Sequence, residues 1–350
     1  MRSKPAPLYL ATVLPGLESV ASDEIAAKLP TAQLVEQQRG RLLFQASEPP
    51  SQLAILRTVD NLYLAIARLE VGSHRAHLAD VAAATARVDL SGAAESVFGG
   101  APAAGSTFFV NASRVGRQTY SRFELAEAVM NGIAAACPAW RLGAPTSHDL
   151  EFRLDLLDDA GLLSLRLTDS LFRYRSDSRG FAPAALRPSV AHGLVWLAGP
   201  RGDEVFLDPF CGSGTILAER AAYLAGAILG GDTDPEVLAT AQANLPNGSG
   251  VSLARWDARC LPIDSGSVDT IVSNLPFGRQ VLGPNEIFDL YARSLGEFRR
   301  VLRSNGRAYL LTDQLEALNA ALAGADLAGE SVARLSLKGL HPSVYRVTPA

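Results

Sequence analysis

Leu207–Thr215, L-D-P-F-C-G-S-G-T, is the stretch that decides the fold of this chain. A short apolar run, Val205–Leu207, precedes it, and an Ala-rich apolar segment, Ile216–Ala227, follows it. This order predicts a strand, a tight turn and a helix. Gly212 and Gly214 leave the backbone of the turn open to a ligand, and the N-terminus of the helix directs free N–H groups into it. Such a turn binds an anionic or polar group at the carboxyl edge of a parallel sheet.

The composition indicates a multidomain protein of a reducing compartment. The chain has 350 residues, 48% of them hydrophobic, which is enough for about two to three domains. Cys137, Cys211 and Cys260 are far apart and predict neither a disulfide framework nor a metal site. We expect no signal peptide and no membrane span, and therefore a cytoplasmic protein. The formal net charge of −4 argues mildly against a nucleic-acid binder.

Residues 1–72 are predicted to form a small ferredoxin-like domain. Strand-like segments alternate with two segments of helical periodicity, in the order β-α-β-β-α-β. The predicted strands are Leu8–Thr12, Leu34–Gln38, Leu42–Ala46 and Tyr63–Val71, and the predicted helices are Pro15–Leu29 and Ser51–Val59.

Residues 73–170 are predicted to form a second module with a mixed α+β fold. One helix opens with S-R-F-E, which is typical of a capping box between Ser121 and Glu124. The Gly- and Ala-rich segment Ser91–Gly105 is predicted to be a loop. Two alternating segments around Asp158–Gly161 predict a hairpin. The predicted elements are the helices Leu78–Val88 and Ser121–Ala136, the strand Thr107–Ala112, and the hairpin strands Leu150–Leu156 and Leu162–Thr168.

Residues 189–350 are predicted to form a doubly wound, Rossmann-like α/β domain, joined to the first half by a linker at 171–188 that is rich in Pro, Ser and Gly. The first five strands are nearly continuous apolar runs, as expected for parallel strands that are buried on both faces. The predicted strands are Val205–Leu207, Ala227–Gly231, Val251–Trp256, Thr270–Ser273, Arg307–Leu311, Arg334–Leu337 and Tyr345–Val347, with helices at Ser189–Leu197 and Glu286–Leu302 among them.

Three ligands compete for the glycine turn. A dinucleotide turn requires G-x-G-x-x-G, but T-I-L follows Gly214 and the third glycine is missing. A phosphate loop requires G-K-[ST], and this region contains no lysine. An S-adenosylmethionine (SAM) site carries no phosphate and needs fewer glycines. A purely structural strand-to-helix turn is the remaining alternative.

Acidic residues after the next two strands favour a nucleoside ligand. Strand two ends in G-G-D-T-D-P, which places Asp232 where a ribose diol would lie. Asp234 and Pro235 then begin a helix, so Asp234 is predicted to be an N-cap first and a ligand second. Strand three ends in W-D-A, and Asp257 either accepts from an adenine amino group or lies in an exposed loop.

The tetrapeptide N-L-P-F, residues 274–277, follows strand four and carries the predicted chemistry. An exocyclic amine is a poor nucleophile because its lone pair is delocalised into the ring. The oxygen of Asn274 and a main-chain carbonyl near Leu275 or Pro276 can accept its two N–H bonds and turn the lone pair toward a methyl group. Phe277 offers a face on which an extruded base can stack. N-L-P-F is similar to the [DN]-P-P-[YF] motif of class I methyltransferases that modify exocyclic or amide nitrogens, with Leu275 in place of the first Pro.

The whole chain resembles the THUMP-domain RNA methyltransferases that make N2-methylguanosine in tRNA. The motifs that carry the resemblance are A-A-L-R-P-S-V-A (Ala184–Ala191), D-P-F-C-G-S-G-T, G-D-T-D-P-E-V-L-A-T-A-Q-A-N-L, N-L-P-F-G and, more weakly, P-G-L-E at Pro15–Glu18. The resemblance implies a ferredoxin-like domain and a THUMP domain that grip the CCA-bearing acceptor end of tRNA. It also favours guanosine 6 over guanosine 10 as the target. No obligate protein partner is evident, and we expect a monomer.

The resemblance also implies the roles of individual residues. Asp208, Phe210, Gly212, Gly214 and Thr215 would surround the methionine moiety of SAM, Asp232 would bind the ribose, Asp257 the adenine, and Asn274 would lie beside both cofactor and substrate. Arg187 is either a contact for a carboxylate or a substrate phosphate, or a solvated linker residue.

Three groups of arginines are candidates for RNA contact. The second group has aromatic residues interleaved and fits an RNA surface best, whereas solvated helix faces explain the last group equally well. The groups are Arg114, Arg117 and Arg122; Arg173, Arg175 and Arg179 with Phe172, Tyr174 and Phe181; and Arg293, Arg299, Arg300, Arg303 and Arg307.

The sequence thus leads to the hypothesis of a SAM-dependent tRNA guanine-N2 methyltransferase acting at guanosine 6. Methylation of tRNA guanosine 10, of a ribosomal RNA guanine or of adenine N6 keeps the chemistry and changes the substrate. An RNA-binding protein with an inactive methyltransferase domain is the alternative from another class.

Overall fold

Two β-sheets organise the part of the chain that the structure describes, one of eight strands and one of seven. The computed structural model describes residues 6–169, 171–175, 180, 185–277, 284–337 and 339–350. Part of the predicted linker lies outside these residues, and so do Arg179, Phe181, Ala184 and Gly278, which were named above. None of the described helices has the length and apolar character needed to cross a bilayer.

The first quarter of the chain confirms the predicted strands and corrects one helix. Its elements are β1 (Leu8–Thr12), α1 (Glu18–Lys28), β2 (Gln33–Gln38), β3 (Arg41–Gln45), a 3-10 helix (Pro50–Ile55) and β4 (Asn61–Glu70). The helix predicted at Ser51–Val59 is wrong, because only the 3-10 helix forms there. The main-chain N–H groups of Arg57 and Thr58 donate instead to the carboxylate of Glu24 in α1, each at 2.8 Å.

The second module contains a helix that composition alone did not predict. Its elements are a 3-10 helix (Arg75–His77), α2 (Leu78–Thr85), α3 (Leu90–Phe98), β5 (Thr107–Val115), α4 (Arg122–Ala136), β6 (Arg141–Leu142), β7 (Leu150–Leu157) and β8 (Ala160–Arg166). The loop predicted at Ser91–Gly105 is wrong over α3. Asp89 caps this helix by accepting from the N–H of Gly92 at 2.9 Å, and Leu90 and Ala94 are buried. The capping box of Ser121 and Glu124 is confirmed.

One sheet spans both predicted N-terminal modules. Its strand order is β2-β3-β1-β4-β8-β7-β5-β6, and β4 pairs with β8 in antiparallel fashion. Two apolar cores lie on this sheet. Tyr9 and Phe44 belong to the first, and Phe108 and Phe152 belong to the second. The predicted boundary at residue 72 does not separate the two cores, because Leu69 and Val71 already belong to the second.

The second half is a doubly wound α/β unit. After a 3-10 helix (Phe172–Tyr174) its elements are α5 (Pro188–Ala198), β9 (Val205–Asp208), α6 (Thr215–Arg220), β10 (Ala227–Asp232), α7 (Pro235–Asn244), β11 (Val251–Arg255), β12 (Val268–Asn274), α8 (Pro284–Val301), β13 (Leu302–Thr312), α9 (Leu315–Gly324), β14 (Leu327–Arg334) and β15 (Ser343–Pro349). The strand order is β11-β10-β9-β12-β13-β15-β14. Every pairing among the strands β9 to β13 is parallel. Strand β15 pairs with β13 and with β14 in antiparallel fashion. The order reverses between β9 and β12, which is where open α/β sheets bind ligands.

Two predictions in this half are corrected by distant hydrogen bonds. The helix expected over Ile216–Ala227 ends at Arg220, whose buried guanidinium donates to the carbonyls of Tyr223 and Arg201. The strand expected at Arg334–Leu337 ends at its first residue. The next two N–H groups, of Leu335 and Ser336, bond to the carbonyls of Pro342 and Pro15 and not to a neighbouring strand.

A buried polar junction joins the two halves between α1 and α5. The imidazole of His192 is fully buried, with Nδ1 at 2.9 Å from the hydroxyl of Thr58 and Nε2 at 2.6 Å from the hydroxyl of Tyr223. Lys28 donates to the same Tyr223 hydroxyl at 3.0 Å and to Glu24 at 2.7 Å. Burial lowers the pKa of His192 to about 3, so this imidazole is neutral at physiological pH.

Protonation of His192 is expected to weaken the folded state in mild acid. The imidazole has a pKa of about 3 in the folded chain and of 6.5 in the unfolded chain. The unfolded chain therefore binds more protons between these values, and stability falls as the pH drops below 6.5. Between pH 8 and pH 5 this group should account for a loss of about 2 kcal/mol in the free energy of unfolding. Urea unfolding of the wild type and of His192→Gln at both pH values measures it. Equal losses in the two proteins would contradict the assignment.

Candidate active site

The predicted site residues meet at the carboxyl edge of β9, β10 and β12. Gly212 and Gly214 have φ angles of +51° and +77°, a region that favours glycine. A Cβ on Gly214 would lie 3.1 Å from the Cβ of Ala241, so this glycine lets α7 pack against the turn. A Cβ on Gly212 would meet no atom of the described residues within 4 Å, so the backbone there faces open space.

Asp232 is built into the turn at the end of β10. Its two carboxylate oxygens accept the N–H groups of Gly212 and Asp234, each at 3.1 Å. A carboxylate has about four lone-pair positions, so two stay available for a diol. Asp234 caps α7, because its Oδ1 accepts from the N–H groups of Glu236 and Val237. The predicted capping role of Asp234 is confirmed.

Two adjoining cavities occupy this edge of the sheet. The larger, of about 620 Å³, contains Asp232, Asp257 and Pro276 in its wall. The smaller, of about 110 Å³, is lined by Asp208, Gly212, Thr215 and neighbours from the turn and from α5's N-terminal flank. Phe210 and Asn274 line both. A ligand with a nucleoside end and a short amino-acid end would pass between these two side chains.

Asn274 presents an unused acceptor at this junction. It is the last residue of β12, and its side-chain Oδ1 is buried without a hydrogen-bond partner among the described residues. A buried amide oxygen left unpaired costs free energy, so the position points to a partner that a ligand supplies. The next residue, Leu275, donates its N–H to the carbonyl of Leu311 at 3.0 Å. The carbonyl of Pro276 accepts from the hydroxyl of Tyr291 at 2.8 Å.

Asp208 is an ionisable group inside the smaller cavity's wall. Its side chain is 1% exposed, and Oδ1 accepts from the hydroxyl of Ser273 at 2.7 Å and from the N–H of Phe210 at 3.3 Å. Burial raises the pKa of Asp208 to about 7, helped by the charge of Asp232, while the two hydrogen bonds oppose the rise. This carboxyl group therefore changes charge near neutral pH.

Asp257 is engaged by a residue that the sequence did not single out. Its two oxygens accept from the main-chain N–H, Nε and NH2 of Arg259 at 2.7 to 3.0 Å. These hydrogen bonds hold the pKa of Asp257 below its usual value. Three donor nitrogens of Arg259 thus take most of the roughly four acceptor positions of Asp257, and acceptance from an adenine amino group stays a prediction.

Arg187 and Phe277 are not among the residues that line the two cavities. The guanidinium of Arg187 pairs with Asp60 at 2.9 Å, and Ser189 donates to the other oxygen of the same carboxylate. This ion pair joins the two halves of the chain, and a contact of Arg187 with cofactor or substrate stays a prediction. Phe277 is half-buried against the apolar core that contains Leu186 and lines neither cavity. Stacking of a base on Phe277 stays a prediction.

The structure adds residues that motif spacing could not identify. Ser273 precedes Asn274 in the sequence and supports Asp208, so its position beside the motif was the available signal. Arg259 follows W-D-A, and Tyr291 lies fifteen residues after Pro276. Asn285, Glu286 and Asp289 bring the start of α8 into the wall of the larger cavity. No three His, Cys, Asp or Glu side chains in the described ranges lie together so as to hold a metal ion.

Comparison with known proteins identifies relatives of this chain. The family model for the RMKL-like methyltransferase domain matches residues 174–343. A tRNA (guanine(6)-N2)-methyltransferase of Thermus thermophilus is 31% identical over 316 residues, 86% of this chain and 88% of that protein. The tRNA (guanine(6)-N(2))-methyltransferase THUMP3 of Bos taurus is 31% identical over 218 residues, 57% of this chain. The chain spans 43% of the length of that relative.

Solved structures resemble the complete chain. The crystal structure of TrmN from Thermus thermophilus has a TM-score of 0.81 at 27% identity, covering 98% of this chain and 100% of that one. The methyltransferase SMU.472, complexed with SAH, has a TM-score of 0.76 at 17% identity over 99% of both chains, which is a likeness of fold. The extent of the match to the Thermus enzyme decides the family. The chain belongs to the SAM-dependent, THUMP-class tRNA (guanine-N2-)-methyltransferase family.

Proposed function

We propose that this protein transfers a methyl group from SAM to the exocyclic N2 of guanosine 6 in tRNA. The observation that carries the proposal is the buried, unpartnered Oδ1 of Asn274 at the junction of the two cavities. The Thermus relative of the same extent is named for this reaction. We also propose that the protein acts in the cytoplasm as a monomer.

The cavities fit the two ends of SAM. The backbone at Gly212, with Asp208, Phe210 and Thr215, would hold the methionine end in the smaller cavity. Asp232 would accept from the ribose hydroxyls in the larger one, where its carboxylate is fixed by two main-chain N–H groups. The Asp257–Arg259 pair would border the adenine. When bound, SAM supplies an electrophilic methyl group on a sulfonium sulfur.

Asn274 would orient the guanine amine for direct displacement. Its Oδ1 accepts one N–H bond of the amine, and a main-chain carbonyl accepts the other. Since Tyr291 already takes one of the two lone pairs of the Pro276 carbonyl, we propose the Leu275 carbonyl as the second acceptor. The new N–C bond forms as the S–C bond breaks, and the amine proton leaves to solvent. Asn274 cannot ionise, so it positions the nitrogen and does not act as a base.

We propose residues 1–72 and 73–170 as the ferredoxin-like and THUMP domains that bind tRNA, and 189–350 as the catalytic domain. The order β2-β3-β1-β4 supports the first of these assignments. Among the described residues, ion pairs and hydrogen bonds within the protein engage several arginines of the second and third groups. Arg175 is held by Glu219, Arg300 by Glu297 and Arg303 by Asp269. Arg307 donates to the carbonyl of Ala198.

An exposed arginine patch remains on the second module. We define it as Arg75, Arg114, Arg117, Arg122 and Phe123. Phe123 is 70% exposed, and the guanidinium of Arg122 lies 4.8 Å from the centre of its ring. Among the described residues Arg114, Arg117 and Arg122 form no ion pair, whereas Arg75 pairs with Glu124. Cations beside an exposed aromatic ring suit a phosphate backbone with unpaired bases, such as a tRNA end.

Methyl transfer to tRNA transcripts tests the function. The purified protein with SAM should form N2-methylguanosine, detected by nucleoside mass spectrometry, in a tRNA with guanosine 6 and not in the same tRNA with adenosine 6. Asn274→Ala should abolish the product and leave SAM affinity within about threefold, because one lost acceptor removes positioning and not the cofactor site. Asn274→Asp keeps an acceptor oxygen and should retain part of the activity.

The other outcomes identify the alternatives. A methylated product at tRNA guanosine 10, in ribosomal RNA or on adenine N6 would show that the substrate assignment is wrong and that the methyl-transfer chemistry is right. Full activity of Asn274→Ala would refute the catalytic assignment. Binding of RNA without methyl transfer to any of these substrates would support the non-enzymatic alternative.

The affinity for SAM should rise with pH through about 7. Below this pH Asp208 is protonated, and above it the carboxylate attracts the positive charges of the cofactor. Binding should therefore release a proton, and the dissociation constant should fall by up to about tenfold from pH 6 to pH 8. Calorimetry of the wild type and of Asp208→Asn measures this. Since Asn can keep both hydrogen bonds without the charge, an equally steep dependence in the variant would exclude Asp208 as its source.

Reversing charge in the arginine patch should weaken tRNA binding. Arg114→Glu with Arg117→Glu is expected to raise the Kd for tRNA at least tenfold and to leave SAM affinity unchanged. The slope of log Kd against log salt should fall by about 1.5, because each lost phosphate contact accounts for about 0.7 to 0.9. Arg299→Glu with Arg346→Glu changes the net charge equally on another surface and serves as the matched control. If both double variants lost the same affinity for tRNA, the proposal that the arginine patch binds tRNA would be refuted.

A further inference from the structure

Tyr291 of α8 reaches out of an apolar core to touch the motif loop. Its side chain is 1% exposed, and its ring belongs to the same apolar cluster as Leu275 and Leu295. The hydroxyl lies 2.8 Å from the carbonyl oxygen of Pro276 and 2.7 Å from the hydroxyl of Thr312, the last residue of β13. The ring therefore spans the core from the helix to the carboxyl edge of the sheet.

The direction of each of these hydrogen bonds follows from the two terminal groups of the series, a carbonyl that can only accept and an N–H that can only donate. The carbonyl of Pro276 can only accept, so the Tyr291 hydroxyl donates to it. The hydroxyl of Thr312 then donates to the Tyr291 oxygen, and Thr312 itself accepts from the N–H of Gln314 at 3.0 Å. Burial raises the pKa of the Tyr291 phenol, which keeps the donated proton in place. The series of hydrogen bonds thus leads from the N–H of Gln314 through the hydroxyls of Thr312 and Tyr291 to the carbonyl of Pro276.

This series of hydrogen bonds fixes the carbonyl of Pro276. Proline lacks an N–H, so the carbonyl is the only main-chain hydrogen-bonding group of this residue, and a hydrogen bond to it orients the peptide plane shared with Phe277. On the other side of the loop, the N–H of Leu275 is held by the carbonyl of Leu311. In the sequence the Leu275 carbonyl lies between these two attachments and directly follows Asn274, whose Oδ1 has no hydrogen-bond partner among the described residues. The two attachments thus restrain the backbone that carries both proposed acceptors of the amine.

We propose that Tyr291 is a positioning residue for methyl transfer, which sets the acceptor geometry of Asn274 and Leu275 through its hydrogen bond to the Pro276 carbonyl. The inference rests on the proposed function for its catalytic consequence, although the loop geometry itself does not depend on the substrate. A phenylalanine would fill the same volume in the core, so the hydroxyl is the feature that needs an explanation. A buried hydroxyl is tolerated only with partners, and both of its partners belong to the edge of the sheet at the site.

The test compares Tyr291→Phe with Tyr345→Phe. Both remove a hydroxyl from a buried tyrosine of the same apolar cluster, but the Tyr345 hydroxyl makes no hydrogen bond to the described residues. Tyr291→Phe should slow single-turnover methyl transfer by about 10- to 100-fold, because small displacements of positioned groups are costly in rate. The Kd for SAM and for tRNA should stay within about twofold of wild type. Tyr345→Phe should match the wild type in all three quantities.

Thr312 provides a second pair of variants in case Tyr291→Phe folds poorly. Thr312→Val removes the donor to Tyr291 at nearly constant volume and should slow the transfer step in the same way. Thr312→Ser keeps the hydroxyl and should restore the rate. If Tyr291 and Thr312 only stabilised the core, these variants would have a lower melting temperature. The transfer rate and the Kd values for SAM and tRNA would then change together, and the rate would not fall alone.

Amide hydrogen exchange of the unliganded protein gives a readout without activity. In Tyr291→Phe the amides of Leu275 and Phe277 should exchange at least about tenfold faster, while those of β13 and β15 keep their wild-type rates. Unchanged exchange, or a transfer rate within twofold of wild type, would overturn the inference. A wild type that methylates no RNA would refute the proposed function, and the exchange result alone would then decide whether Tyr291 holds the loop.

Discussion

The parallel pairing of β9 with both β10 and β12 is the constraint on which the site depends. Asp208 lies opposite Gly230 in one pairing, and Leu207 lies opposite Ile271 in the other. Because parallel strands end at the same edge, three segments that are distant in sequence deliver a turn, a carboxylate and an amide to one place. The two cavities lie along that edge, and Asn274 borders both of them.

Buried polar groups around the site are matched pair by pair. Ser273 satisfies Asp208, the N–H groups of Gly212 and Asp234 satisfy Asp232, and Tyr291 satisfies Pro276. Such matching fixes each group because its alternatives in an apolar interior are costly. Asn274 differs from these groups, because its Oδ1 has no hydrogen-bond partner among the described residues. Buried polar groups are also paired at the junction of the two halves, where the carboxylate of Glu24 accepts from Arg57, Thr58 and Lys28.

Predictions from the sequence succeeded where the signal lies within a short segment. The hairpin around Asp158, the capping box at Ser121 and the cap at Asp234 were predicted because each depends on residues a few positions apart. Predictions failed where a distant group competes for the backbone. Glu24 takes the N–H groups that would extend a helix near residue 57, and Arg220 binds carbonyls beyond its own short helix. The helix α3 was missed because burial of its small residues supplies the stability that composition does not show.

The sequence by itself determined the glycine turn, the acidic residue after strand two and the N-L-P-F motif, since each is a run of neighbouring residues whose chemistry survives any detail of packing. The tertiary structure alone decided which partners these residues have. It paired Arg187 with Asp60 and Asp257 with Arg259, and it packed Phe277 against an apolar core. It also engaged several predicted RNA-binding arginines in contacts within the protein. It also brought Tyr291 to Pro276. A charged or hydrogen-bonding side chain takes the partner that lies nearest in space, and for these residues that partner is set by how the helices and sheets pack.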